Sequence, residues 1–215
     1  WDYLATLVDD QKVSEGRALL SKHASLLGRI EQAYGVDRHT VVAVWGVESD
    51  YGQIASGRFL PQSLSTVACF GPRRRDFFRG ELISTLKIIE RGDLAAEKLR
   101  GSWAGAFGHT QFIPSTYLRL AVDFDGDGKR DLVDSIPDAL ASTANYLKRS
   151  GWITGASWGY EVKLPAGYSG PSGRTNKSSI DSWASRGITR LDGGAVSGLP
   201  AAGLLLPAGR NGPAF

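Results

Sequence analysis

Glu48 closes an apolar run, "VVAVWGVESDYGQ" over residues 41–53. A carboxylate charge is costly to remove from water, so its placement there asks for a reason. On a helix, Val41, Val44, Trp45 and Glu48 fall at i, i+3, i+4 and i+7, one stripe of one face. The spacing predicts a carboxyl group that points with the core and holds a proton near neutrality through desolvation. A protonated acid is what a glycosidic oxygen needs before it can leave. Gly52 can end the helix in a left-handed conformation, and the electronegative helix end would raise the acid further. The alternative is a glutamate paired with an arginine or capping a neighbouring helix. Asp50 faces elsewhere and reads as a solvated helix-end residue, not as the second member of a carboxylate pair.

A second set of acids lies in "DFDGDGKRDLVD". Asp123, Asp125 and Asp127 take positions 1, 3 and 5, Gly128 position 6 and Asp134 position 12, the spacing of an EF-hand calcium loop. Lys129 would contribute only its carbonyl. Arg130 stands at position 8 where an aliphatic residue is usual, and aspartate at position 12 is shorter than glutamate. A solvated acidic turn is the bland alternative, but five aspartates in twelve residues would repel one another without a cation. A bound ion, calcium if available, is expected in a stabilising role.

The third segment is "GSWAGAFGHTQFIPSTY", with too many glycines for a comfortable helix and too few polar residues for a plain linker. With "GVESDYG", "PRRRDFFRGEL", "AVDFDGDGKRDLVDS" and "ANYLKRSGW" it makes five ordered blocks over more than half of the chain. Together they closely resemble the lytic murein transglycosylase B family, which cleaves bacterial peptidoglycan. The match is dense from Ala33 to Trp152 and thin beyond.

The resemblance implies a lysozyme-like helical fold in which Glu48 is the sole catalytic acid and base. In that family the acid protonates the oxygen between N-acetylmuramic acid and N-acetylglucosamine, then takes a proton from the muramyl C6 hydroxyl. That hydroxyl closes onto C1 and leaves a 1,6-anhydro end, so no partner carboxylate is needed. Ser102 and Gln111 match polar cleft residues of the family, and Gly101, Gly105 and Gly108 would let the backbone approach a sugar. Phe107, Phe112 and Trp103 could offer faces to sugar C–H surfaces. Core packing is the alternative for each and the preferred reading for Trp103. His109 stands where the family commonly has tyrosine, and reads as a cleft-lining residue or an exposed histidine. The family's acidic loop is longer than standard, which makes Asp138 a candidate to close it alongside Asp134. Asp138 also suits the N-terminal turn of the next helix.

Helices must position these groups. Periodicity predicts one helix over residues 17–34, built on Leu20, Leu27 and Ile30, and another from Asp37 to about Ser49. Phe78, Leu82, Leu86 and Ile89 predict a third between Arg74 and Ile89. "SIPDALASTANYLKRSG" has a serine-to-acid capping box, a first-turn proline and a closing glycine. After Trp152, alternation in "YEVKLPAGY" and Gly, Ser and Pro richness predict short strands and loops, with one helix in "SSIDSWASRG". The expected organisation is a mainly α fold: a lysozyme-like catalytic region over residues 1–155 with the metal loop at 123–138, and a smaller irregular or β-containing part over 156–215.

Bulk properties exclude several classes. A 42% hydrophobic, 22% charged chain suits a globular protein, and no run of ~18 apolar residues is present to span a membrane. The net charge of +3 is too small and scattered to imply nucleic acid. The Arg73, Arg74, Arg75 and Arg79 cluster reads as a solvated helix start, with a polymer-binding rim second. Cys69, the lone cysteine, reads as a buried packing residue. The N-terminus carries no basic-then-apolar leader, which suggests a mature or trimmed chain. Family members continue past a block like "NGPAF", so a cleft-lining terminal segment is expected beyond Phe215. The implied setting is a monomer in the Gram-negative periplasm acting on peptidoglycan strands, with any outer-membrane anchor preceding Trp1. Two rivals remain at this level: a hydrolytic muramidase of the same fold, and a calcium-dependent wall-binding module without turnover.

Overall fold

The computed structural model describes residues 7–53, 57–157, 159–198 and 200–215. They divide into two compact units, Trp1–Thr154 and Gly155–Phe215. Eight α-helices and six very short strands are found among the described residues. No helix there is long and apolar enough to cross a membrane.

In the larger unit, α1 (Asp10–Lys22) and α2 (Ala24–Tyr34) replace the single helix expected over 17–34. His23 leaves helical geometry at φ −105°, ψ 21°, and serves as C-cap of one helix and N-cap of the next. Helix α3 (Arg38–Ser49) starts where expected, with the Asp37 carboxylate accepting the N–H groups of His39 and Thr40 at 2.9 and 3.0 Å. Leu27, Ile30, Val41, Val42 and Trp45 pack with Leu140 and Ala144 of α7 (Ile136–Arg149) in one core cluster. The Ser135 hydroxyl caps α7 by accepting the Asp138 N–H.

A second cluster joins α4 (Leu60–Phe70), α5 (Arg75–Arg91) and α6 (Pro114–Leu120) through Leu60, Leu64, Phe78, Ile88, Phe107 and Tyr117. Helix α4 buries Leu60, Leu64 and Ala68, which turns Cys69 outward. The expected burial of Cys69 is therefore corrected. In α5 the buried stripe is Phe78, Glu81, Thr85 and Ile88. Leu86, expected on that face, is exposed. Strands β1 (Arg58–Phe59) and β2 (Arg100–Gly101) pair antiparallel, Arg58 with Gly101, and lead into the glycine-rich loop.

The smaller unit has its own core of Val162, Trp183, Ile188 and Leu204. Two ribbons frame it, β3 (Val162–Lys163) with β5 (Thr189–Arg190) and β4 (Lys177–Ser179) with β6 (Ala201–Gly203), both antiparallel. Helix α8 (Ile180–Ser185) lies between and is capped by the Ser179 hydroxyl.

Candidate active site

Helix α3 carries Glu48 on its last turn. Its buried residues are Val41, Val42, Trp45, Gly46 and Ser49, so the inward stripe is centred on i, i+4, i+8 from Val41. Glu48 stands about 100° from Ser49 around the helix axis, at the edge of that stripe. Its side chain is therefore exposed, opening on a cleft, and the expectation that it points with the core is corrected. The cleft walls still remove part of its hydration, and this partial burial raises its carboxyl above the ordinary glutamate range. Among the described residues no hydrogen bond or ion pair reaches that carboxylate.

Three successive left-handed residues follow: Asp50 at φ 52°, Tyr51 at 57° and Gly52 at 84°. Asp50, not Gly52, is the cap, donating its N–H to the Gly46 carbonyl at 3.0 Å. Nor is Asp50 simply solvated, because Lys12 Nζ lies 2.9 Å from its carboxylate. Helix α1 straps the turn further. The Tyr51 hydroxyl donates to the Lys12 carbonyl at 2.8 Å, and Gln53 Nε2 donates to Glu15 at 2.6 Å. The Tyr51 ring lies so near Gly46 that a Cβ there would come within 2.7 Å of it. Glycine in "WGVES" is thus the space for that ring.

The facing wall comes from the glycine-rich loop. The Ser102 N–H donates to the Ala106 carbonyl at 2.7 Å, and Ser102 Oγ accepts the Ala106 N–H at 3.0 Å. Gln111 holds a left-handed φ of 52°, with its side-chain amide donating to the Gly108 carbonyl at 3.0 Å. Phe107 and Phe112 exchange backbone hydrogen bonds of 3.0 Å and turn their rings inward, 0% and 6% exposed. Both are core residues, which corrects the sugar-facing reading. Trp103 is the reverse case: expected in the core, it is 59% exposed, its ring 6.0 Å from that of Phe78.

Glu48, Ser102, His109 and Gln111 share one cleft of about 400 Å³. His109 is half-buried, and burial holds its imidazole below the ordinary histidine range. Glu97, Lys98 and Arg100 also line the cleft and were missed from sequence. Their only signal was a position just before the glycine-rich loop, in "AAEKLRGS".

In the acidic loop, carboxylate oxygens of Asp123, Asp125 and Asp138 lie within 4.8 Å of one another. Asp138 is fully buried and accepts the N–H groups of Phe124 and Asp131 at 2.7 and 2.8 Å. Burial, with the Asp125 charge adding to it, pushes the Asp138 carboxyl up. Asp127 and Asp134 are not in that group. Asp134 pairs with Lys98, while Asp127 accepts the Lys129 N–H at 2.8 Å. Arg130 pairs with Asp93 and stacks over the Tyr117 ring. Three converging carboxylates, one of them buried, suit a hard divalent cation.

The family model described as "Transglycosylase SLT domain" matches residues 1–215. The chain belongs to that family. Membrane-bound lytic murein transglycosylase B of Escherichia coli K12 is 34% identical over 190 residues, 87% of this SLT domain and 51% of that protein. SltB3 from Pseudomonas aeruginosa, solved in complex with NAG-NAM-pentapeptide, superimposes with a TM-score of 0.92 at 49% identity. That match covers 100% of this chain and 58% of the other. Escherichia coli Slt35, solved in complex with calcium, gives 0.85 at 33% identity, over 95% of this chain and 64% of its own. The fold is thus the mainly helical, lysozyme-like one of lytic transglycosylases. This SLT domain spans about half the length of the curated relative it matches.

Proposed function

We propose that this chain is the catalytic part of a peptidoglycan lytic transglycosylase in which Glu48 is the single acid and base. The observation that carries the reading is a carboxyl with no partner among the described residues, held up by partial burial, on one cleft with Ser102 and Gln111. Glu48 gives its proton to the glycosidic oxygen between N-acetylmuramic acid and N-acetylglucosamine as the C1–O bond breaks. The carboxylate then takes the proton of the muramyl C6 hydroxyl while the O6–C1 bond forms. Glu48 regains its proton, no water is consumed, and the product ends in a 1,6-anhydro sugar. Ser102 and Gln111 offer donors and acceptors to the N-acetyl and hydroxyl groups that must be held for that closure. Support also comes from SltB3, solved in one complex with NAG-anhNAM-pentapeptide at 49% identity to this chain.

Asp123, Asp125 and Asp138 would hold calcium, which supplies charge neutralisation and fixes the loop that precedes α7. The proposed setting is a monomer in the periplasm acting on glycan strands.

Glu97 favours a second reading. It puts another carboxylate on the cleft wall, and a hydrolase of the same fold would use such a group to activate water. Mass spectrometry of digested sacculi separates the two. Anhydromuramyl ends that disappear in Glu48→Gln support the transglycosylase, whereas reducing ends would overturn it.

A further inference from the structure

Two hydrogen bonds tie the glycine-rich loop to the helix that bears Glu48, and both end on His109. The Trp45 indole N–H donates to His109 Nδ1 at 3.0 Å. The Ser49 hydroxyl donates to the His109 carbonyl at 2.5 Å. Trp45 and Ser49 bracket Glu48 on α3, one three residues before it and the other immediately after. Ser49 Oγ also accepts the Gly52 N–H at 2.9 Å, which brings the left-handed turn into the same network. Gly52 packs so tightly on the imidazole that a Cβ there would lie 2.3 Å from the ring. On its other side, the His109 N–H donates to the Leu132 carbonyl at 2.9 Å.

The donor decides where the imidazole proton sits. An indole N–H can only donate, so Nδ1 must offer its lone pair, and the neutral ring carries its hydrogen on Nε2. An imidazolium donates at both nitrogens and cannot receive Trp45. Trp45 is 1% exposed, so water has little access to take over as acceptor.

We propose that His109 is a positioning residue for Glu48: as the neutral Nε2–H tautomer it clamps the last turn of α3 to the glycine-rich loop, and protonation breaks the Trp45 half of that clamp, leaving only the Ser49 bond to its carbonyl. The role rests on reading Glu48 as the acid. Charged groups bear on the ring from each neighbouring element. Asp131 and Asp134 favour a proton there, as does the Val133 carbonyl beside it. Lys98 is paired with Asp134. Glu48, Glu97 and Arg100 line the same cleft. His23 packs edge-on to Trp45, 6.0 Å between ring centres. Burial outweighs the acids and favours the neutral ring. Activity then falls on the acid side as His109 gains its proton, and on the alkaline side as Glu48 loses its own.

Nitrogen-detected NMR of the wild-type rings, alongside kinetics on soluble glycan strands, tests this. The expected result is a proton on Nε2, and a Trp45 indole resonance that shifts together with the acid-side loss of activity. His109→Phe removes the acceptor and should lower kcat at least ~tenfold with KM within ~twofold. His109→Asn puts an amide oxygen near the place of Nδ1, with nothing to titrate. It should recover much of that loss and displace the acid limb. A proton on Nδ1, an indole resonance indifferent to His109 titration, or a His109→Phe enzyme with wild-type kcat and pH profile would overturn the clamp. Glu48→Gln keeps the two ideas apart: if that variant still cleaves, the acid assignment fails, while the tautomer measurement stands on its own.

Discussion

Glu81 of α5 receives Ser115 twice, the backbone N–H at 2.9 Å and the hydroxyl at 2.7 Å. Glu81 is only 3% exposed, and Ser115 lies in the first turn of α6, whose N-cap residue Ile113 offers no side-chain acceptor. A glutamate from another helix therefore caps α6. Because α6 follows the glycine-rich loop directly, this cap also fixes where that loop leaves the cleft. Glu81→Ala should lower stability by about 2–3 kcal/mol, since two donors lose their acceptor in a largely buried place. Glu81→Gln should cost roughly half as much. Urea unfolding checks both.

Glu48→Gln should be inactive yet more stable than the parent at neutral pH. Burial holds the folded carboxyl above its unfolded value, so ionising it opposes folding. That cost is absent below the unfolded pKa of ~4.3 and grows as pH rises through the folded one. The melting temperature of the variant should exceed the parent's at pH 7, and the two should converge near pH 4. Loss of an acid in this role should lower kcat by ~10²–10⁴. A variant less stable than the parent at pH 7 would contradict the sign.

Calcium should raise the melting temperature, and a chelator should reverse the effect. At a hundredfold excess over Kd the gain is about 2.7 kcal/mol. Asp138→Asn should abolish the response, because it removes charge from the buried member of the triad. Asp134→Asn should leave the response intact, because that carboxylate pairs with Lys98 instead. Calorimetric titration of the three proteins distinguishes the two aspartates as the closing ligand.

Glu97→Gln should leave anhydromuramyl ends as the product, at a rate within ~threefold of the parent, since a one-acid route asks nothing of a second carboxylate. A large loss of rate with reducing ends in the parent digest would instead support water attack assisted by Glu97.

Much of this was legible in the sequence, and the misses share a cause. Glu48 stood out because a charge closed an apolar run, and the aspartate spacing marked the acidic loop. The face of α3 was misjudged by one position because its buried stripe includes Gly46 and Ser49, which a count of apolar residues passes over. Gly46 is buried under the Tyr51 ring and Ser49 is tied to the His109 carbonyl, neither of which periodicity can express. Helix α5 repeats the lesson, burying Glu81 and Thr85 while Leu86 faces water. The aromatic rings of the glycine-rich loop exchanged roles because backbone bridging of Phe107 to Phe112, not hydrophobicity, sets which of them point inward. The break at His23 carries no glycine or proline to announce it.

The run of left-handed residues after Glu48 has a consequence for any attempt to miniaturise this chemistry. Asp50 and Tyr51 are not glycines, and each would cost an isolated peptide about 1 kcal/mol to hold in that region. A synthetic fragment of residues 41–53 would relax out of the bend and aim its carboxyl arbitrarily. Helix α1, distant in sequence and free of reactive groups in the cleft, is what supplies the missing restraint through Lys12. A minimal working version would have to keep that helix.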